Sequence, residues 1–296
     1  MYSKSIKDDL NPNKRTQGGF TLIELAIVLA VIGLIIGAIA IAKDVQRNAE
    51  YQKIANKFVY QWKSAYDQYY QRNGAVLGDC QQASTYMVNG AETSFEDEPA
   101  CTRSGGSNVA GIPENFTNTG LKICNGQGYL ANTVGAGDAE LAEQNLRDLM
   151  LQAGIGMPTG RGEGQEDRYL YLDSNGNPSE LQICFQWNPP GTGSGAGNVM
   201  VLRGLTPDLA RFLDQVIDGN ADSREGRFRI QGRPPRGNAD DANRPGTPWE
   251  ANNTIAMDAD GEPAVGADNP DAATAEGRAF NEDRVVLLTA HWIMEQ

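Results

Sequence analysis

The chain changes character abruptly near residue 20. Residues 1–19 are polar, with Lys4, Lys7, Lys14 and Arg15 set against Asp8 and Asp9. Leu25 to Ala42 then runs for 18 residues without a charge, an Asn, a Gln or a Pro, which is long enough for a membrane-spanning helix. Helical patterning continues past that run. Lys43–Arg72 contains no Gly and no Pro, and Ile54, Phe58, Trp62, Ala65 and Tyr69 recur at the spacing of one helical face. Asn73-Gly74 supplies a stop signal. The pattern predicts one helix from Phe20 to Arg72, with residues 20–42 as its transmembrane segment; at 1.5 Å per residue it would be about 80 Å long. Gly33 and Gly37 sit four apart, a spacing that lets a second helix approach closely.

Beyond residue 72 the pattern is that of an exported α+β head, residues 73–296. Short strands are expected at Thr85–Val88 and Leu121–Cys124, and an amphipathic helix from Asp138 as N-cap to about Gln152. Arg168–Leu172 and Glu180–Trp187 flank the turn cluster Asp173-Ser174-Asn175-Gly176-Asn177-Pro178 and read as a hairpin. Asn198–Arg203 is a further strand. Thr206-Pro207-Asp208 opens a second helix whose apolar face is Leu209, Phe212, Leu213, Val216 and Ile217, and Gly219 ends it. A strand is expected at Arg227–Ile230. Residues 231–283 are rich in Pro, Gly, Asp and Asn without periodicity, a long surface excursion. Val285–Ile293 is apolar enough for a covered strand that ties down the terminus. The fold class is therefore α+β, a long N-terminal helix packed on an antiparallel sheet with extra loops and helices.

Charge and cysteine content narrow the setting. The chain carries −13 overall, which disfavours nucleic-acid partners. Arg224, Arg227, Arg229, Arg233 and Arg236 form a local basic cluster, and in so acidic a chain pairing with an acidic neighbour is the simpler use. Lys14 and Arg15 just ahead of the apolar run place the leader in the cytoplasm and the rest across the membrane. Cys80, Cys101, Cys124 and Cys184 all lie in that exported part and read as two disulfides, with three connectivities open. The pairing expected is Cys80–Cys101 with Cys124–Cys184.

No catalytic constellation emerges. There is no nucleophile elbow and no phosphate-binding glycine loop, and His291 is the sole histidine, so the chain is not expected to be an enzyme. Trp62, Tyr66, Tyr69 and Tyr70 are read as packing residues of the long helix. Calcium is the one cofactor with a donor set. Asp214, Asp218 and Asp222, around the end of the second helix, are the candidate metal ligands, beside looser groups at Asp173-Asn175-Asn177 and Asp258-Asp260-Glu262. None completes a calcium loop, and each is also an ordinary turn composition.

Gly19-Phe20-Thr21-Leu22-Ile23-Glu24 resembles the cleavage and methylation motif of type IV prepilins and pseudopilins, and the resemblance extends over about residues 14 to 72. An ordinary signal peptide has its apolar segment before the cut, not after it. The resemblance implies that residues 1–19 are a leader, removed after Gly19 by a prepilin peptidase that also methylates Phe20. It implies a single-pass inner-membrane precursor whose helix later moves into an extracellular filament, packed against other copies and other pilins. Glu24 is then the family's acidic residue, a carboxylate beside an apolar run that needs a cationic partner, which the new α-amine of Phe20 supplies. Many pilins break this helix with a proline, and none stands near Ile41 here. The implied function is a structural pilus subunit. A mature chain of 277 residues (296 less 19) is large, which keeps a minor pilin or a type II secretion pseudopilin open. A membrane-anchored, calcium-dependent adhesion module is a third reading.

Overall fold

The computed structural model describes residues 21–81, 84–90, 122–125, 144–231, 249, 256–257, 279–280 and 285–295. The chain divides into two units, residues 1–49 and 50–296. The architecture is α+β: a long apolar N-terminal helix and an antiparallel five-stranded sheet.

Helix α1 spans Leu22–Ile54 and helix α2 spans Tyr60–Asn73. Between them Ala55–Val59 forms a π turn, in which the Tyr60 N–H reaches back to the Ala55 carbonyl. The expected stripe is buried, with Tyr51, Ala55, Val59 and Tyr66 added to it. Gly74, in the left-handed region at φ 68°, ends α2 as its C-cap, a conformation that costs a glycine little.

The sheet that this stripe covers has the order β1-β2-β3-β7-β4, with β1 Arg168–Leu172, β2 Pro178–Asn188, β3 Gly197–Leu205, β4 Phe228–Ile230 and β7 Leu288–Ile293. Each neighbouring pair is antiparallel. The last strand enters between β3 and β4, so the C-terminal segment is a central strand and not an edge. Aromatic rings join helix to sheet: Tyr66 stacks on Phe185 at 5.0 Å, and Tyr60 meets Trp292 edge-on at 5.3 Å. The indole N–H of Trp62 donates to the Glu166 carbonyl at 3.1 Å, so its polar edge is satisfied inside the core.

Helix α4, Pro207–Asp218, starts at the Thr206 cap, whose side chain accepts from the Leu209 N–H, and ends at left-handed Gly219. A bulge in β3 precedes it. There Gly204 passes so close to β2 that a Cβ would lie 2.0 Å from the Glu180 carbonyl oxygen. The Tyr171 hydroxyl secures both features, donating to the Gly204 carbonyl and accepting from the Thr206 N–H.

Several expectations are corrected. Val216 is 45% exposed and does not join the buried face of α4; Asp214 does, at 0%. Helix α3 spans Leu146–Gln152 and is capped by Asn145, which accepts from the Arg147 N–H. Gln144 ahead of it is not helical, because its side chain is spent on the Gly78 carbonyl and Asn89; Asp138 and Leu141 lie outside the described residues. Thr85–Val88 is a turn and not a strand. The Asp79 carboxylate gathers the amides of Cys80, Thr85 and Tyr86 and the hydroxyls of Ser84 and Thr85, and Tyr86 and Asn89 take positive φ, 57° and 59°. Of the excursion at 231–283, Gln231, Trp249 and the short pair β5 Ala256–Met257 and β6 Ala279–Phe280 are described, and Trp249 is buried.

Candidate assembly and processing site

The residues that carry the processing motif stand at the start of α1. Gly19 and Phe20 lie outside the described residues. Thr21 precedes the first helical turn, and its carbonyl accepts the Leu25 N–H at 3.2 Å. Its amide N–H and its hydroxyl both donate to Oε2 of Glu24, at 2.8 and 2.9 Å. The Glu24 N–H in turn donates to the Thr21 hydroxyl at 3.3 Å. This is a capping box. It satisfies two of the backbone donors that a helix start leaves open, and it holds a negative charge at the positive end of the helix dipole. The Thr-x-x-Glu spacing that makes it was present in the sequence; reading Glu24 only for a distant amine passed over Thr21.

The turns that follow are apolar on every side and exposed, from Leu22 at 89% through Leu34 at 75% to Ile41 at 67%. Gly33 and Gly37 have open space where a Cβ would point. Among the described residues this is the one helix long and apolar enough to cross a membrane, and none of its apolar window is buried. So much contiguous apolar surface needs lipid or protein around it. Chemically the segment offers two things, a fully apolar cylinder and one oriented carboxylate at its head.

In the head, Cys124 and Cys184 are joined by a disulfide, and both are buried. Cys80 is also disulfide-bonded, and Cys101 lies outside the described residues. With Val199 and Val201, the bonded pair forms a small cluster separate from the main core.

The candidate metal ligands Asp214, Asp218 and Asp222 each accept hydrogen bonds from protein donors. Among the described residues no three acidic, His or Cys side chains converge as a metal-binding group. Asp222 Oδ1 accepts from the Arg224 and Glu225 amides, and Asp218 Oδ2 accepts from the Arg227 and Phe228 amides. Asp214 points inward and accepts from the Trp249 indole N–H at 2.7 Å. These three carboxylates thus accept from backbone amides and one indole. Asp173 likewise turns onto its own loop, accepting from the Asn175 and Asn177 amides. Asp258, Asp260 and Glu262 lie outside the described residues.

His291 is buried in the sheet, its Nδ1 3.0 Å from the Asn188 amide nitrogen. Burial, helped by the charge on Lys122, pushes it down to about 3, so it stays neutral and forms no charged site at physiological pH. In the basic cluster, Arg227 pairs with Glu295 and Arg229 donates to the Gly226 carbonyl; Arg233 and Arg236 lie outside the described residues.

No curated protein and no solved structure gives a significant match to the chain. Residues 14–40 do match a family profile, that of the prokaryotic N-terminal methylation motif. The chain thus carries at its N-terminus the type IV prepilin-like signature, and the exposed apolar helix α1 begins inside it.

Proposed function

We propose that the protein is a structural, non-enzymatic subunit of a type IV pilus or a related pseudopilin filament. The observation that carries this reading is the methylation motif at residues 14–40 set directly on a helix whose apolar surface is wholly uncovered. A prepilin peptidase would cut after Gly19 and methylate Phe20. The precursor is anchored in the inner membrane by α1, which then exchanges lipid for the same helix of other subunits. The two environments ask for the same surface, apolar all round and free of side-chain donors. Gly33 and Gly37 then serve close helix contact, and Glu24 meets the amine of a neighbouring Phe20.

The size of the head favours a minor pilin or pseudopilin as the second reading. Electron microscopy of sheared surface filaments, with mass spectrometry of their subunits, tests the proposal. A subunit beginning at N-methyl-Phe20 is the expected result. Full-length chain still carrying Met1–Gly19, found only in membranes of cells that make filaments of other proteins, would refute it.

A further inference from the structure

The five-stranded sheet ends in β1 on one side and β4 on the other, and the two edges differ. On β4 the Ile293 N–H donates to the Arg227 carbonyl and the Gln231 N–H to the Thr289 carbonyl, so Phe228 and Ile230 turn their backbone groups away from β7. Both outward amides are already taken. Phe228 donates to Asp218 Oδ2 at 2.8 Å, and Ile230 to the Ser223 carbonyl at 2.9 Å. On β1 the Ile183 N–H donates to the Asp167 carbonyl at 2.9 Å. The alternation of an antiparallel ladder then leaves Arg168, Leu170 and Leu172 with their backbone groups directed away from β2. Pro178, which has no N–H to give, stands opposite Leu172, as that phase requires. The Arg168 N–H turns back onto the Gln165 carbonyl, but among the described residues nothing meets the outward groups of Leu170 and Leu172.

The side chains of Leu170 and Leu172 share one face and are 47% and 53% exposed. The register of β1 runs without a bulge, and the strand carries no lysine or proline, the devices that usually keep a free edge from pairing. Its one charged member, Arg168, is held by Glu180 at 3.2 Å, and Glu180 also pairs with Arg161.

We propose that β1 is an interface at which two copies of this chain pair edge to edge, antiparallel about a two-fold axis at Leu170. An edge strand with open backbone groups recruits another strand. Among the described residues β1 is the edge of this sheet still open, so the strand that a second copy offers is its own β1, and the contact is isologous. The charges select the antiparallel sense. Arg168 opens β1 and Asp173 follows its last residue, so antiparallel strands bring Arg168 near Asp173 of the second copy at both ends. Parallel strands in register would set like charges together. Centred in this way, the Leu170 backbone groups bond each other across the axis, and each Leu172 N–H reaches the Arg168 carbonyl of the other copy. The leucine side chains form the apolar centre. The strand pairing stands without the filament reading, but its use rests on that reading. Subunits of one helical filament meet head to tail through unlike surfaces. A two-fold contact does not repeat along such a filament, so β1 joins heads of neighbouring filaments and bundles them.

Cysteine cross-linking of the full chain in an excess of detergent micelles, under mild copper oxidation, reads the register. Residues 170 then face each other within disulfide reach, whereas residues 172 lie about 14 Å apart along the strands. Leu170→Cys should therefore give at least about ten times more cross-linked dimer than Leu172→Cys or Arg168→Cys. A mixture of the Leu172→Cys and Arg168→Cys chains should cross-link where neither does alone. No dimer from Leu170→Cys, or equal dimer from all three variants, as association through α1 alone would give, would overturn the proposal. Leu170→Lys sets an ammonium against its own copy at the axis and leaves the β1–β2 ladder in place. In cells it should leave filaments single where wild-type filaments lie in bundles, with the Cys124–Cys184 bond intact as the sign of a folded head. Bundles unchanged by Leu170→Lys would overturn the bundling role. If the chain makes no filaments at all, the filament reading fails while the cross-links still decide the pairing.

Discussion

Cys124 and Cys184 face each other as a cross-strand pair with Cα atoms 4.6 Å apart, one position beyond Ile123 and Phe185, which exchange both backbone hydrogen bonds. A position next to a hydrogen-bonded pair in an antiparallel ladder is the narrow one, with Cα atoms about 4.5 Å apart, so the backbone itself sets the two sulfurs within bonding distance. The bond fastens the segment 122–125, which also meets the sheet through the Ile123–Phe185 bridge.

That geometry leads to a stability prediction. The disulfide joins residues 60 apart in the chain, and closing a loop of that size stabilises a fold by about 2–5 kcal/mol. Replacing both Cys124 and Cys184 with alanine should lower the unfolding free energy by that amount in denaturant titrations of the full chain in detergent. Thiol labelling of denatured, unreduced protein should find no reactive cysteine at 124 or 184. A double variant as stable as wild type would show that the segment is held by its packing alone.

Asp214 has a measurable consequence for global stability as well. An ordinary Asp titrates near 3.8, and burial raises Asp214 to about 8 in the fold. Between those values the folded chain holds a proton that the unfolded chain has lost. The contribution is therefore fully present below pH 3.8 and declines as pH rises through the window to about 8, by about 1.4 kcal/mol per pH unit at most. Asp214→Asn abolishes that decline. Its stability relative to wild type should improve steadily from pH 4 to pH 8, read as a growing difference in denaturation midpoint. A constant difference across that range would contradict a protonated Asp214.

Tyr86 gives a third test. It holds φ at 57°, a region that disfavours a bulky residue by about 1–2 kcal/mol, yet its side chain is 63% exposed. The backbone explains the conformation. Its N–H is held by Asp79 and its carbonyl by the Asn198 side chain, so the strain is imposed from both sides. Asparagine tolerates that region better and keeps both backbone bonds. Tyr86→Asn should raise the unfolding free energy by about 0.5–1 kcal/mol, measured by denaturant titration. A loss of stability would mean that the ring contributes more than its exposure suggests.

Much of this architecture was legible in local patterns. The hairpin Arg168–Trp187 is bounded by turn residues, and the Thr206-Pro207 start and Gly219 end of α4 are both chemical signals carried within a few residues. What was not legible depends on distant partners. Asp214 occupies a position of ordinary polarity in the sequence, and the donor that meets it in the core, Trp249, lies 35 residues on. Gln144 and Asn145 begin α3 later than its periodicity suggests because Gln144 is claimed by Gly78 and Asn89. The π turn at Ala55–Val59 has no glycine, proline or hydroxyl residue to announce it. At the candidate assembly site the reverse holds: Thr21 and Glu24 act within one turn, and their Thr-x-x-Glu spacing was a local signal that the reading of Glu24 alone passed over.

That short-range pair supports the last prediction. Thr21 donates twice to one oxygen of Glu24, which fixes the direction of the carboxylate before any neighbour arrives. In a filament the packed helices exclude water, and an ammonium from an adjacent Phe20 can offset the desolvation of Glu24 only at one axial offset. A carboxylate already oriented by Thr21 would favour that offset over slipped ones, a register role that buried polar groups play in other helical assemblies. Thr21→Val removes one donor and the reciprocal acceptor while preserving shape, and it leaves the charge in place. Glu24→Leu removes the charge itself. Neither residue lies in unit 50–296, so the head should fold as before in both variants, seen as unchanged disulfide formation and protease resistance of the head. Filament counts by electron microscopy should fall strongly for Glu24→Leu. For Thr21→Val they should fall less, with precursor at normal levels in membrane-fraction blots. Equal, abundant filaments from both variants would remove Glu24 and its cap from any part in assembly. Loss in Thr21→Val as severe as in Glu24→Leu, with uncut precursor accumulating, would place the effect at processing instead.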